Sequence, residues 1–183
     1  MKYAIGLDYG TNSVRCVIVD TADGRELGTC VYEYETGQAG ILLDPADHNL
    51  ARQNPADYLK GAEVTVAGAI AQAKKAESAF NPKDIVGIGV DTTGSTPLPV
   101  DRDGKPLAML DAFKSNHNAH AWLWKDHTGY AEAGEITELA KKERPQHLAK
   151  CGGTYSSEWF FSKILHCLHV DPKVYDAAYT WVE

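Results

Sequence analysis

A chain of 183 residues, 44% hydrophobic and 23% charged, has the composition of an ordinary globular protein. Its formal net charge of −7 argues against non-specific binding to nucleic acids or to anionic membranes, both of which require patches of lysine and arginine. The sequence contains no apolar run of about 18 residues and no signal-peptide pattern, so we expect a cytoplasmic protein. Its four cysteines form neither a CxxC pair nor a disulfide framework, which favours reduced thiols.

The first 20 residues predict a β-hairpin with a polar turn. Apolar runs at residues 3–7 and 14–19 flank the polar segment 8–13, and the second run alternates between two faces. Asp8 ends the first run, where its carboxylate is placed to hold a hydrated divalent cation. We expect Gly10 to supply a positive φ in the turn.

The same turn is a candidate anion-binding nest, because successive backbone N–H groups in such a turn are suited to phosphate oxygens. Hydroxyl, amide and backbone donors come from Thr11, Asn12 and Ser13. Arg15 adds positive charge if its side chain points back toward the same anion. An ordinary hairpin whose polar turn is only solvated fits these residues as well.

Beyond the hairpin, the pattern predicts a mixed α/β fold. A third strand at residues 27–34 completes an antiparallel meander, and residues 35–54 have the composition of a loop. Within that loop, the apolar residues 41–43 fit either a short strand or an anchor on the core. A helix begins at Pro55 and extends to about residue 79. The apolar run 85–90 predicts a strand that is buried on both faces and parallel to the first.

In the second half, residues 96–100 predict another strand. Residues 118–124 satisfy both a strand period and a helical spacing, and we favour the strand. Helices are expected at 128–142, with Thr128 as N-cap, and at 158–168. The last residues, 179–182, have the pattern of a strand that is just beginning, which suggests a chain cut inside a larger protein.

Polar clusters follow three predicted strands, at residues 8–13, 91–96 and 125–127. Ligands of open α/β sheets bind outside the carboxyl ends of strands, so we expect the three clusters to converge. In the middle cluster Gly94 permits close backbone approach and the hydroxyls suit a sugar or a phosphate, although a plain strand connection fits too. Asp126 is suited either to a substrate hydroxyl or to a surface helix cap.

Other common sites are not supported. The sequence has no Walker motif, no GxGxxG and no nucleophile elbow. Two groups of metal-ligand residues lack a four-ligand zinc spacing, and His166 and His169, which flank an apolar helix face, are explained by packing. The two groups are His117, His120 and His127, and His166, Cys167 and His169.

The opening segment GLDYGTNSVRCVIVD resembles the first phosphate motif of the actin, hexokinase and Hsp70-type ATPases, and within that fold the FGGY family of sugar kinases. Three further segments resemble the ribulokinase branch of that family: GIGVDTTGSTPLPVD, LWKDHT and GGTYSSEWFFSKILH. The resemblance implies an α/β, ribonuclease H-like (actin-like ATPase) fold. Its mixed sheet would open with an antiparallel three-strand meander and carry helices on both faces.

The resemblance also implies a carbohydrate kinase, a phosphotransferase with an alcohol acceptor, that uses ATP and magnesium. Its expected substrate is a ketopentose, chiefly L-ribulose converted to L-ribulose 5-phosphate in arabinose or related pentose catabolism. The partners would be the sugar and ATP, with no nucleic acid and no membrane, and a homodimer is compatible.

By the family pattern, Asp8 would lie beside the magnesium and the transferring phosphate. The phosphate loop would comprise Gly10, Thr11, Asn12 and Ser13, with Arg15 nearby. The residues against the sugar would be Gly94, Ser95, Thr96, Trp124 and Asp126. Relatives that phosphorylate glycerol carry Arg-Glu in place of Gly94-Ser95, which disfavours glycerol here.

The expected domain organisation is an N-terminal, sugar-binding domain over residues 1–183. In the family, the aspartate that takes the proton, the adenosine-binding second domain and the second phosphate motif lie beyond this length. We therefore expect the isolated chain to be inactive as a kinase. The alternatives are another FGGY kinase, acting on ribitol, xylulose or a related polyol, and a non-catalytic actin-like nucleotide-binding module.

Overall fold

The computed structural model describes all residues from 1 to 183 as nine strands and five α-helices, with short 3-10 turns between them. In chain order they are β1 Tyr3–Tyr9, β2 Ser13–Asp20, β3 Glu26–Glu33, β4 Leu42–Asp44, β5 Asp47–Gln53, α1 Pro55–Ala76, β6 Ile85–Thr92, β7 Leu98–Val100, β8 Ala121–Trp122, α2 Tyr130–Glu143, α3 Pro145–Lys150, α4 Phe160–Val170, α5 Pro172–Ala177 and β9 Thr180–Val182. None of the helices combines the length and the apolar character that a bilayer span requires.

The chain divides into two compact units. The first contains residues 1–40 and 56–93, and the second contains residues 41–55 and 94–183. The first unit holds a four-stranded sheet in the order β3-β2-β1-β6. In it β1 pairs antiparallel with β2 and parallel with β6, while β2 pairs antiparallel with β3. The predicted meander and the parallel strand are both confirmed.

Helix α1 covers one face of this sheet. Ile5 and Cys16 on the sheet pack with Ala69 and Ala73 on the helix in one buried cluster. The approach is close because the contacting residues are small: a Cβ added at Gly28 of β3 would lie 2.3 Å from the Ala69 carbonyl oxygen. Helices were expected on both faces of the sheet, and within this unit α1 covers one face.

Strand β6 corrects one expectation, because it is not buried on both faces. Val86, Ile88 and Val90 are 57%, 64% and 62% exposed. The reason is position: β6 is the outermost strand of the sheet, and α1 packs over β2 and β3. An apolar run specifies residues that suit a covered strand, but it does not specify which element of the fold covers them.

The second unit contains a three-stranded sheet, β4-β5-β8, and a two-stranded sheet, β7-β9. The hairpin of β4 and β5 occupies part of the segment that was expected to be a loop, because its short strands lack a clear alternation. The strand expected at 118–124 is reduced to β8, since Asn116 caps a 3-10 turn at His117–Ala119. Trp122 lies fully buried in the main apolar cluster of this unit.

The start of α2 also differs from the prediction. The helix begins at Tyr130 and has no side-chain cap, so Thr128 is not its N-cap. The Thr128 hydroxyl instead donates a hydrogen bond to Asp126, 2.5 Å away. The hydroxyl that the sequence pattern assigned to the start of the helix is thus hydrogen-bonded to a buried carboxylate.

Gly28 provides a test of the contact between α1 and the sheet. We expect Gly28→Ala to lower the free energy of unfolding of the intact protein by about 1–3 kcal/mol, because the new methyl group would overlap helix backbone. Gly87→Ala in β6 is the matched control, since a Cβ there would meet nothing within 4 Å and should change stability by less than about 0.5 kcal/mol. Urea unfolding of both variants measures the difference, and equal midpoints would contradict the contact.

Candidate functional site

The turn between β1 and β2 is held in place by the segment that follows β3. The Gly10 N–H donates to the Ser13 carbonyl at 2.9 Å, which closes the turn. The Asn12 side-chain amide donates to the Ala39 carbonyl at 2.7 Å, and the Asn12 carbonyl accepts from the Tyr34 N–H at 2.9 Å. The turn that was predicted to bind phosphate is therefore anchored at its centre.

The conformation of Gly10 differs from the prediction, because its φ is not positive. Positive φ angles occur instead at Gly37, Ala39 and Gly40, in the segment that supports the turn. A turn closed by the bond from Gly10 to Ser13 does not need the left-handed region. A Cβ at position 10 would lie 3.4 Å from the Ser13 carbonyl oxygen, at the limit of ordinary van der Waals contact.

Strand pairing brings Asp8, Arg15 and Asp91 into one row across three neighbouring strands. Asp8 lies opposite Arg15 on β2 and in register with Asp91 on β6. In-register residues of adjacent strands project from the same face, so the three side chains share the face that α1 leaves open. An Arg15 guanidinium nitrogen lies 3.4 Å from the Asp8 Oδ2, with both side chains more than half exposed.

Asp91 belongs to the polar cluster that the sequence identified, but it was not among the predicted site residues. The available signal was its position, because Asp91 stands near the end of its strand as Asp8 does on β1. Two carboxylates and one guanidinium leave the row with a net negative charge, which suits a hydrated divalent cation. The row borders a groove of about 650 Å³ whose floor includes Gly6 and Gly89.

In the second unit, residues 94–96 form a short irregular segment. Gly94 faces open space, because a methyl group added to its Cα would meet nothing within 4 Å. Ser95 has a φ of 58°, which is uncommon for a residue with a side chain and indicates a conformation that its surroundings impose. The Thr96 N–H donates to the Glu183 carboxylate at 2.7 Å, and Thr96 itself is buried.

Trp124 and Asp126, predicted together as sugar contacts, have different environments. Trp124 is 40% exposed, so its ring presents an apolar surface to solvent. Asp126 is fully buried: its Oδ2 accepts from the Ala51 N–H at 2.7 Å and pairs with Arg52, while its Oδ1 accepts from Thr128. In this structure Asp126 is therefore neither a surface cap nor open to a sugar, because protein donors occupy both its oxygens.

Arg52, the partner of Asp126, was not recognised from the sequence. Its side chain is 1% exposed, and its guanidinium lies 3.4 Å from the centre of the Trp122 ring. Burial acts to lower the pKa of Arg52, whereas the adjacent Asp126 carboxylate favours the charged form. The buried pair connects β5 to the segment after β8 and so fixes the backbone on which Trp124 stands.

The structure thus assembles the predicted residues as two sets. Asp8, the turn at 10–13 and Arg15 share the first unit with Asp91, and residues 94–96 share the second with Trp124 and Asp126. Convergence of the sets on one ligand stays a prediction. Lys163 of α4 contacts backbone carbonyls of both parts of the second set, and no pattern in the sequence indicated this contact.

Comparison with known proteins supplies the family context. The model of the N-terminal domain of the FGGY family of carbohydrate kinases matches residues 3–182. A ribulokinase from Vibrio parahaemolyticus is 39% identical over 183 residues, covering 100% of this chain and 31% of that protein. A ribulokinase from Mycolicibacterium smegmatis is 38% identical, covering 100% of this chain and 32% of that protein. The chain spans about a third of the length of these relatives.

Solved structures agree in fold. A xyloylose kinase from Brucella ovis superposes with a TM-score of 0.74 at 19% identity, over 99% of this chain and 31% of that one. A xylulose kinase from Lactobacillus acidophilus gives a TM-score of 0.68 at 17% identity, over 99% and 31%. At identities this low, the superpositions establish the fold alone. They confirm the predicted α/β, actin-like ATPase fold with its mixed sheet.

The buried pair of Asp126 and Arg52 can be tested by stability. We expect Asp126→Ala to lower the free energy of unfolding of the intact protein by about 3–5 kcal/mol, because it leaves the buried Arg52 charge without a partner. Asp111→Ala is the control in the same unit, since that carboxylate is 99% exposed and pairs only with Lys114. Guanidinium unfolding compares them, and similar losses for the two variants would contradict the assignment.

Proposed function

The chain belongs to the FGGY family of carbohydrate kinases, as its N-terminal domain, and we propose that the intact protein transfers phosphate from ATP to a ketopentose. The substrate we propose is L-ribulose, giving L-ribulose 5-phosphate. The curated relatives that support this choice are named ribulokinase and are 35–39% identical over the whole chain. The geometric observation that carries the kinase proposal is the row of Asp8, Arg15 and Asp91 beside the anchored turn.

The first unit offers groups that fit ATP phosphates and magnesium. Asp8 is exposed and only loosely paired, so its carboxylate is free to hold a hydrated cation. Internal hydrogen bonds of Gly10 and Asn12 hold the turn at residues 10–13 in one conformation, and we propose that this turn lines the phosphate site. Arg15 places a positive charge on the same face as Asp8. Bound magnesium would neutralise charge on the phosphoryl group during transfer. The protein groups would hold and orient the phosphates, which is the larger part of catalysis in this type of reaction.

The second unit offers a surface suited to a hydroxylated sugar. The half-exposed Trp124 ring can cover an apolar face of the sugar. We propose that the hydroxyl groups of Ser95 and Thr96 interact with hydroxyl groups of the sugar. Open space at Gly94 accommodates a substrate larger than glycerol. We assign Asp126 a positioning role behind this surface, because its oxygens are already taken by protein donors.

The proton acceptor and the adenosine site are proposed to lie beyond position 183. The chain covers 31–32% of its ribulokinase relatives, which leaves room for both. We propose a cytoplasmic location, which the four free cysteines support because reduced thiols are typical of that compartment. The isolated 183-residue chain is expected to lack kinase activity.

A substrate panel tests the proposed reaction. We expect the intact protein, assayed by ADP release with ketopentoses, ribitol and glycerol, to show its highest kcat/KM with L-ribulose. A preference for xylulose or ribitol would support the alternative of another FGGY kinase. ATP binding without any sugar phosphorylation would support the alternative of a non-catalytic nucleotide-binding module, and L-ribulose as the poorest substrate would overturn the proposal.

The role of Asp8 separates chemistry from sugar binding. We expect Asp8→Asn in the intact protein to lower kcat by about a hundredfold or more, because a charge that orients metal and phosphate is lost. The KM for the sugar should change by less than about threefold, since Asp8 is not among the proposed sugar contacts. Asp23→Asn, a carboxylate in the turn between β2 and β3, is the control and should leave both constants unchanged. A large rise in sugar KM with normal kcat would contradict this role.

A further inference from the structure

Lys163 lies on α4 with its side chain fully buried. Its ammonium group donates to the Ser95 carbonyl at 2.6 Å and to the Leu123 carbonyl at 2.8 Å. The carbonyls of Trp124 and Trp122 lie 3.3 and 3.4 Å away. An ammonium group has three N–H donors, so two serve the short bonds and the third is shared between the two longer ones.

These carbonyls belong to two segments that are far apart in sequence. One contains Ser95, and the other is 122–124, which ends at the exposed Trp124. Trp122 also packs against Cys167 of α4, but Lys163 is the α4 side chain that hydrogen-bonds to both segments. Hydrogen bonds to a charged group are shorter and stronger than neutral ones. The positive φ of Ser95 is a conformation that needs such support, because its side chain disfavours it.

No carboxylate forms a hydrogen bond with the Lys163 ammonium. Burial and the nearby Arg52 lower the pKa of Lys163 to about 7, whereas Glu158 and Glu183 act to raise it. The carbonyl dipoles supply the compensation that an ion pair would otherwise give. Burying the charge of a lysine costs free energy. If this side chain served only to fill space, an apolar residue would do so with a smaller free-energy cost.

We propose that Lys163 is a positioning residue of the sugar site, fixing the Ser95 backbone and the Trp124 backbone relative to each other. This inference rests on the proposed function, in which both residues contact the sugar. Lys163 itself does not reach the sugar, because backbone carbonyls take all of its donors. A direct backbone bond from the Trp122 N–H to the Pro97 carbonyl would remain after its loss, but the Ser95 and Trp124 carbonyls would lose their shared donor, and we expect the contact surface to occupy several conformations.

The test uses two readouts on the intact protein carrying Lys163→Met, which keeps the length of the side chain but removes its charge and donors. We expect faster hydrogen exchange at the backbone amides of 94–96 and 122–126, with the rest of the chain unchanged. We also expect the KM for the sugar to rise about tenfold to a hundredfold, with KM for ATP within about threefold. Lys141→Met is the control, since that ammonium lies on the surface of α2 and pairs only with Glu138.

If Lys163→Met fails to fold, Lys163→Arg makes the same comparison. A planar guanidinium keeps the charge but cannot place its donors on the same carbonyls, so sugar KM should rise by about threefold or more and exchange should increase in the same two segments. Wild-type exchange in a folded variant would overturn the positioning role whether or not the protein is a kinase. Increased exchange with an unchanged sugar KM would overturn the link to the sugar. A wild-type protein that phosphorylates no ketopentose, with increased exchange in the variant, would overturn the proposed function while the positioning role stands.

Discussion

The register of β1 determines the chemistry of the first unit. Because side chains alternate along a strand, pairing β1 with both β2 and β6 decides which residues face α1 and which face the open side. Ile5 and Cys16 enter the core under the helix, whereas Asp8, Arg15 and Asp91 appear together on the other face. A shift of one residue would bury the carboxylates and expose the apolar residues, so the core that stabilises the sheet also selects the charged row.

The second unit places charge in its interior instead. Asp126 and Arg52 form a buried pair, and Lys163 lies buried among carbonyls. Such groups are costly to desolvate, and well-packed apolar residues would often stabilise a fold as well or better. Charged groups add a positional constraint, because each of their hydrogen bonds specifies where a backbone atom must lie. Here the constrained backbone is that around Ser95 and Trp124, the proposed sugar surface.

The sequence predicted those features that depend on neighbouring residues. The opening meander, α1 with Pro55 at its first turn, and the turn at 10–13 follow from local alternation, spacing and turn residues, and the structure contains them. The parallel pairing of β6 was predicted from its apolar run, but its exposure was not, because exposure depends on which elements lie beside it. The β4–β5 hairpin was not predicted as such, since β4 has only three residues and β5, Asp47–Gln53, is mostly polar without a clear alternation.

The site shows the same division. Asp8 and the residues of the turn were proposed as site residues because they are consecutive in sequence, and Asp91 could have been added by its position on its strand. The partners of Asp126 and Lys163 could not, since the Arg52 pair spans 74 positions and the contact with Ser95 spans 68. A motif names the residues that occupy a segment, but burial of a carboxylate such as Asp126 is a property of the whole unit.

Solvent exposure distinguishes charged side chains that are available to a ligand from charged side chains that stabilise the fold. The Asp8 and Arg15 side chains lie 3.4 Å apart and more than half exposed, so their mutual attraction is weak in water and little is lost when a ligand replaces it. Asp126 has no exposed surface and four protein donors, so a ligand could bind it only after a stabilising network had opened. The same residue type therefore has opposite consequences in the two units. The exposed carboxylate of Asp8 is available to a ligand at little cost to the fold. The buried carboxylate of Asp126 is unavailable to a ligand and instead holds the backbone behind the proposed sugar surface.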